Sequence, residues 1–303
     1  MTALPDGYEF ALCLTHDVDR PYKTFQAPYY AVVERDLGHL RALLSTERPY
    51  WQFETIMSLE AELGVRSSFY FLDEQSLFAD RPVTDWVRPS RWKLYAGRYD
   101  VTEPAIRAVI DRLDDGGWEV GLHGSYESVD DPDRLREEKA TLERVLGRRV
   151  LGGRQHYLNL SIPDTWKHHA AIGLRYDATP RPERVREADG AGVGPVGLYR
   201  PFDDAFVVFP LTLMDVGLAP SNVAVDVEAC WRRCESRLRD ARESGHVMTV
   251  CWHPRYFNRA EFPGYTELYV DLVERAKELG AWVGPCGDFY ERFLADESTL
   301  TGR

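Results

Sequence analysis

The chain has 303 residues, 44% of them apolar, which is enough for one full α/β core, and a formal net charge of −12. That acidity excludes a nucleic-acid backbone as main partner, since phosphate binding wants a basic surface, and no stretch approaches the roughly 20 apolar residues of a membrane span. Residues 1–10 have neither a basic start nor an apolar h-region, so a soluble, cytoplasmic protein is expected.

From the N-terminus, residues 10–14 form an apolar run ending in Thr15-His16-Asp17 and broken by Arg20-Pro21, which predicts a buried strand with a polar tip. Ile56, Leu59 and Leu63 recur at helical spacing before Gly64, and 67–72 (SSFYFL) predicts a second strand, completing a β-α-β unit. Residues 73–101 lack a clean period and carry Trp86, Trp92, Tyr95 and Tyr99, so an insertion over one barrel mouth is expected there. A helix through Ile106, Val109, Ile110 and Leu113 stops at Gly116-Gly117; a strand over 119–122 ends at His123; an amphipathic helix over 132–146 stops at Gly147.

Residues 150–153 lead to Arg154, 162–172 read as helix, and a short strand over 174–176 delivers Asp177. The proline- and glycine-rich stretch 179–199 predicts a long loop or a small β excursion at the rim. A strand over 206–209, a helix over 225–244 and a strand over 246–252 tipped by His253-Pro254 follow. A helix over 268–279, a strand from 281 and a helix near 289–294 complete the chain. Of the five cysteines, Cys230 and Cys234 sit one helical turn apart without a second pair to make a zinc site, so free thiols are expected. The alternation predicts one domain over 1–303 with parallel strands and right-handed crossovers. An incomplete or distorted barrel, with chemistry at its strand ends, is favoured. A doubly wound sheet would need a glycine-rich loop after the first strand, which is missing.

Side chains alternate along a strand, so Asp17 and Asp19 share one face. Two carboxylates there need a cation or a proton, unless they merely form the turn before Arg20-Pro21. His123 and Glu127 have the i, i+4 spacing of two ligands on one turn, although a histidine after a strand is more often a hydrogen-bonded structural residue. Arg154 could equally be a rim ion pair. His253 could simply cap its strand, although the proline after it fixes the turn and a desolvated imidazole titrates near neutrality.

Taken in order, THDVD (15–19), GWEVGLHGSY (117–126), RQHYL (154–158) and CWHP (251–254) resemble the motifs of the polysaccharide deacetylase family, carbohydrate esterase family four. The resemblance covers most of the chain and implies a distorted (β/α)7-type barrel of the glycoside hydrolase/deacetylase kind. It implies Asp17 as general base, Asp19 as metal ligand, Arg154 as the group orienting the base, and His253 as general acid. Asp177 resembles the carboxylate that sets the acid's protonation, without the tryptophan often beside it.

The chain departs from the pattern at Glu127, where the family supplies a second histidine. Glu127 is therefore expected as third ligand beside Asp19 and His123, with His16 or His156 as alternatives, or no metal at all. His156, Tyr157 and Tyr126 are expected at the rim, facing a carbohydrate substrate. The implied activity is metal-dependent removal of an N-acetyl or similar acyl group from a carbohydrate, with a divalent cation, Zn2+ first and Co2+ or Ni2+ as alternatives. Without an export signal, a cytoplasmic polysaccharide or glycoconjugate precursor is the expected substrate. Loss of a metal ligand at Glu127 keeps open a weakly catalytic or non-catalytic sugar-binding barrel, and hydrolysis of another non-peptide C–N amide is a further alternative.

Overall fold

The computed structural model of the chain describes residues 4, 7–24, 27, 28, 31, 35, 37–40, 48–189, 197–202, 205–218 and 226–295. Among the described residues nine strands form one parallel sheet: β1 (Phe10–Val18), β2 (Ser68–Leu72), β3 (Glu119–Gly124), β4 (Gly152–Gln155), β5 (Tyr176–Asp177), β6 (Val207–Val208), β7 (Leu211–Met214), β8 (Val247–Cys251) and β9 (Ala281–Gly284). Their order is β6-β5-β4-β3-β2-β1-β8-β7, with β9 beside the entry half of β1 through Phe10–Cys13 and β2 beside its exit half through Thr15–Val18. The sheet curls into an open barrel whose edges, β6 and β7, are consecutive in the chain. This is the distorted α/β barrel that the alternation predicts.

Helices cover the outer face: α1 (Phe53–Glu62), α2 (Val83–Trp86), α3 (Pro89–Tyr95), α4 (Pro104–Asp115), α5 (Pro132–Leu146), α6 (Asp164–Ala171), α7 (Pro182–Asp189), α8 (Val227–Ser244), α9 (Tyr265–Glu278) and α10 (Cys286–Phe293). Local chemistry sets their ends. In α5, Asp131 accepts a bond from the Arg134 N–H, Pro132 occupies the first turn, and Gly147 turns the chain out at φ 77°. The large core lies between sheet and helices, while a smaller cluster with Tyr70, Tyr176, Phe209 and Phe289 fills the barrel interior. Gly153 lets β4 approach β3, because a Cβ there would lie 1.9 Å from the Leu122 carbonyl oxygen.

Two expectations change. The 179–199 stretch contains α7, started by Pro182 and held by buried Val185; residues 190–196 lie outside the described part. The run after Phe206 is two strands rather than one: Phe209-Pro210 separates β6 from β7, which crosses to pair with β8. Residues 73–101 hold α2 and α3 and reach the strand ends through Arg98. All five cysteines are free and buried. Among the described residues no helix is long and apolar enough to cross a membrane.

Candidate metal and catalytic centre

The exit ends of β1, β3, β4 and β8 bring the polar tips together. Asp17 lies one residue before the end of β1 and Asp19 just past it, both facing inward as the alternation requires, while His16 points to the outer layer against Glu60, 3.0 Å away. Register places His123 opposite Arg154. One consequence is that His156, two residues past Arg154, stands beside His123.

Asp19 Oδ1 is 3.1 Å from His123 Nε2 and 3.1 Å from His156 Nδ1, and the two nitrogens are 3.2 Å apart. Ligand atoms about 2.0–2.1 Å from a tetrahedral cation stand roughly 3.3 Å apart, so this triangle has cation-binding dimensions. Its donor set also fits: the Nδ1–H of His123 is donated to the Arg154 carbonyl oxygen at 2.8 Å, leaving Nε2 as ligand atom. His156 fits on one condition. Arg98 Nη2 lies 2.7 Å from His156 Nε2, and a guanidinium only donates, so the imidazole proton sits on Nδ1 and points at Asp19. Ligation through Nδ1 requires that proton to move to Nε2 and Arg98 to withdraw. Burial, joined by the Arg98 charge, pushes His156 down to about 3 and keeps it neutral. Burial alone would raise Asp19, yet the imidazoles of His156, His123 and His253 outweigh it and hold the carboxyl well below its ordinary value.

Asp17 and His253 flank this triangle. Asp17 Oδ2 is 4.0 Å from His123 Nε2, and His253 Nε2 is 3.8 Å from Asp19 Oδ2. Arg154 crosses the buried barrel top: Nη1 donates to Asp17 Oδ1 at 2.7 Å and Thr15 Oγ1 at 2.8 Å, Nε to the Ala178 carbonyl at 2.8 Å, and the guanidinium lies over the Tyr70 ring. Its Nη2 has no protein partner among the described residues. Against burial, Arg154 and the imidazoles of His123 and His253 hold the Asp17 carboxyl below its usual value. The cleft above is lined by Asp17, Asp19, Arg20, Tyr50, His253 and Arg255.

Two expected residues stand elsewhere. Glu127, on the turn after β3, is held by Arg81 at 2.9 Å, Arg91 at 2.8 Å and Arg134 at 3.3 Å, fastening the insertion to the barrel rather than facing Asp19 and His123. Asp177 is buried against Thr179 and Trp166, whose indole donates at 3.0 Å, so a tryptophan is supplied from α6. Burial pushes Asp177 up to about 6, and His253 is not its partner.

That partner is Asp215, which the sequence reading missed. It follows β7, accepts from the His253 backbone N–H, and holds His253 Nδ1 at 2.9 Å. Burial would lower His253, but the Asp215 carboxylate overcomes it and raises the imidazole well above its ordinary value. An aspartate just past a short LTLM strand is the sequence signal that could have found it. At the rim, Tyr157 is exposed and carries a left-handed backbone at φ 57°, ψ 18°, with its ring 4.3 Å from that of His156 and 6.0 Å from that of Tyr126. Such strain outside glycine persists only where the surroundings enforce it.

No protein-family model matches the chain and no curated protein matches it. Solved structures do. A structure described as a polysaccharide deacetylase from Mycobacterium smegmatis aligns over 96% of this chain and 92% of its own, with TM-score 0.64 and 18% identity. The PuuE allantoinase aligns over 95% and 91%, with TM-score 0.62 and 12% identity. A carbohydrate esterase four pseudoenzyme from Bacillus anthracis aligns over 95% of this chain and 66% of its own, with TM-score 0.50 and 11% identity. The fold is that of the polysaccharide deacetylases, as the four motifs imply.

Proposed function

We propose that the protein is a metal-dependent hydrolase that removes an N-acetyl or similar acyl group from a carbohydrate. The observation that carries this reading is the placement of Asp17 and His253 on either side of the Asp19–His123–His156 triangle, each within 4.0 Å of one of its atoms. A divalent cation held by those three residues would polarise the amide carbonyl and acidify water. Asp17, kept ionised by Arg154, takes the attacking water's proton. His253, held protonated and in one orientation by Asp215, gives a proton to the leaving amine nitrogen. Arg154 and Asp215 are positioning residues, and Asp177 buttresses the strand ends beside Arg154. Tyr126 and Tyr157 offer the sugar a rim.

This reading takes His156, not Glu127, as third ligand. Equilibrium dialysis with zinc, cobalt or nickel, paired with acetate release from N-acetyl sugars, tests it. Wild type binds about one equivalent; His156→Ala and His123→Ala lose more than the 10–100-fold in affinity that outer-shell changes cost; Glu127→Ala binds like wild type. Arg98→Met binds more tightly, because His156 Nε2 is released. Loss of metal in Glu127→Ala with retention in His156→Ala reverses the ligand assignment.

A second reading is favoured by the Arg98–His156 contact, which sets the tautomer against ligation, and by the likeness to a protein described as a pseudoenzyme. In it the barrel binds sugar with little or no turnover. Absence of both metal and acetate release, with sugar binding retained, selects it. The allantoinase likeness supports a third substrate class, another non-peptide amide.

A further inference from the structure

The rim between the insertion and β1 carries positive charge that the protein leaves unneutralised. Arg20 donates through Nε to the Ala96 carbonyl at 3.2 Å and through Nη2 to the Lys93 carbonyl at 2.7 Å, leaving Nη1 without a bond to any described residue. The Lys93 side chain is exposed, its ammonium 5.3 Å from the Tyr157 ring centre and hydrogen-bonded to nothing among the described residues. Arg98 spends its three nitrogens on the neutral acceptors Leu94 O, Asp19 O and His156 Nε2. Among the described residues the nearby acids Asp19 and Glu74 are engaged elsewhere, Asp19 by His123, His156 and His253 and Glu74 by the Gln75 and Tyr126 backbone N–H groups, and neither forms an ion pair with Arg98, Arg20 or Lys93.

The setting makes this unusual. The chain carries a net charge of −12, and the neighbouring arginines Arg81, Arg91 and Arg134 are all spent on Glu127. Arg20, by contrast, lines the same cleft as Asp17, Asp19 and His253, and its two carbonyl bonds fix the guanidinium before any ligand arrives. Lys93 stands over the strained Tyr157 on the same rim. A neutral sugar offers these cations only neutral hydroxyl and carbonyl acceptors; a carboxylate or phosphate adds ionic pairing and stronger, shorter hydrogen bonds from both.

We infer that the substrate carries an anionic group, carboxylate or phosphate, beside the scissile amide, and that Arg20 and Lys93 receive it. The amide part rests on the deacylase reading; the anion part does not. Metal-loaded protein is titrated with N-acetylglucosamine, its 1-phosphate and N-acetylmuramic acid, whose anions sit on the ring carbons next to the acetamide, and acetate release is followed for each. The phosphate or the carboxylate form binds about tenfold more tightly than the neutral parent, or better, and the stronger of the two identifies the group. Arg20→Gln removes the preference, as a rise in KM with little change in kcat. Lys93→Gln, whose ammonium touches the Tyr157 ring but makes no hydrogen bond or ion pair among the described residues, weakens it and keeps the test open if Arg20→Gln disturbs residues 93–96. Equal binding of neutral and charged sugars, or a preference that survives both substitutions, overturns the inference. Charged preference without acetate release leaves the anion subsite standing and removes the deacylase reading; acetate release without preference does the reverse. No binding and no release with any sugar counts against both.

Discussion

Two buried histidine–carboxylate pairs meet through the Trp252–His253 backbone, and only one of them opens onto the cleft. His16 and Glu60 are 3.0 Å apart and fully buried; Glu60 also accepts from Ser67, Trp118 and Tyr269, and the imidazole is packed by Phe69, Phe257 and Tyr269. Every polar atom of that pair has a partner in the layer between sheet and helices. His253 and Asp215 are 2.9 Å apart with Asp215 equally buried, but the far nitrogen of His253 faces the cleft, 3.8 Å from Asp19. Chain position decides which is which. His16 and Asp17 are consecutive on β1, and Trp252 and His253 are consecutive after β8, so period-two alternation sends one of each pair outward and the other to the barrel top.

The sharpest way to break this comparison is to remove the inward members. Asp17→Asn and His253→Gln should each lower kcat by about 10²–10⁴-fold with the circular dichroism spectrum unchanged; wild-type turnover in either would remove it from the mechanism. Asp215→Asn has a smaller effect on rate and a diagnostic effect on pH. Asp215 raises His253, so with its charge gone the imidazole loses its proton at lower pH, and the alkaline limb of kcat/KM moves downward. An unmoved limb would mean that His253 is not the acid. The outer pair gives the smallest kinetic effect: Glu60→Gln should cost about 1–3 kcal/mol of stability, read as a lower Tm, with kcat within about twofold of wild type. A large loss of turnover there would erase the distinction between the pairs.

Much of this was legible in the sequence, because Asp17, Asp19, His123, Arg154 and His253 each sit at the end of an apolar run, and such runs announce buried strands. What was not legible was lateral. His156, which the sequence offered only as an alternative ligand beside His16, becomes a partner of His123 through the β3–β4 register, which pairs residues 31 positions apart and leaves no local spacing to read, whereas Glu127 at i, i+4 looked local and was drawn away by three arginines. Asp215 was lost with β7, a four-residue strand hidden behind Phe209-Pro210. In α7 a single buried valine gave too little apolar periodicity to outweigh the prolines around it.

The curl of the sheet has a mechanical consequence. In a flat sheet β1 and β4 would stand three strand spacings apart, roughly 14 Å, yet Asp19 Oδ1 and His156 Nδ1 are separated by 3.1 Å. A cation gripped by Asp19, His123 and His156 would recognise only the curved state and would staple the β4–β5–β6 flank of the open barrel to its centre. Chelation would then be felt as slackening of that flank, in the stability of a distant edge as much as in any turnover.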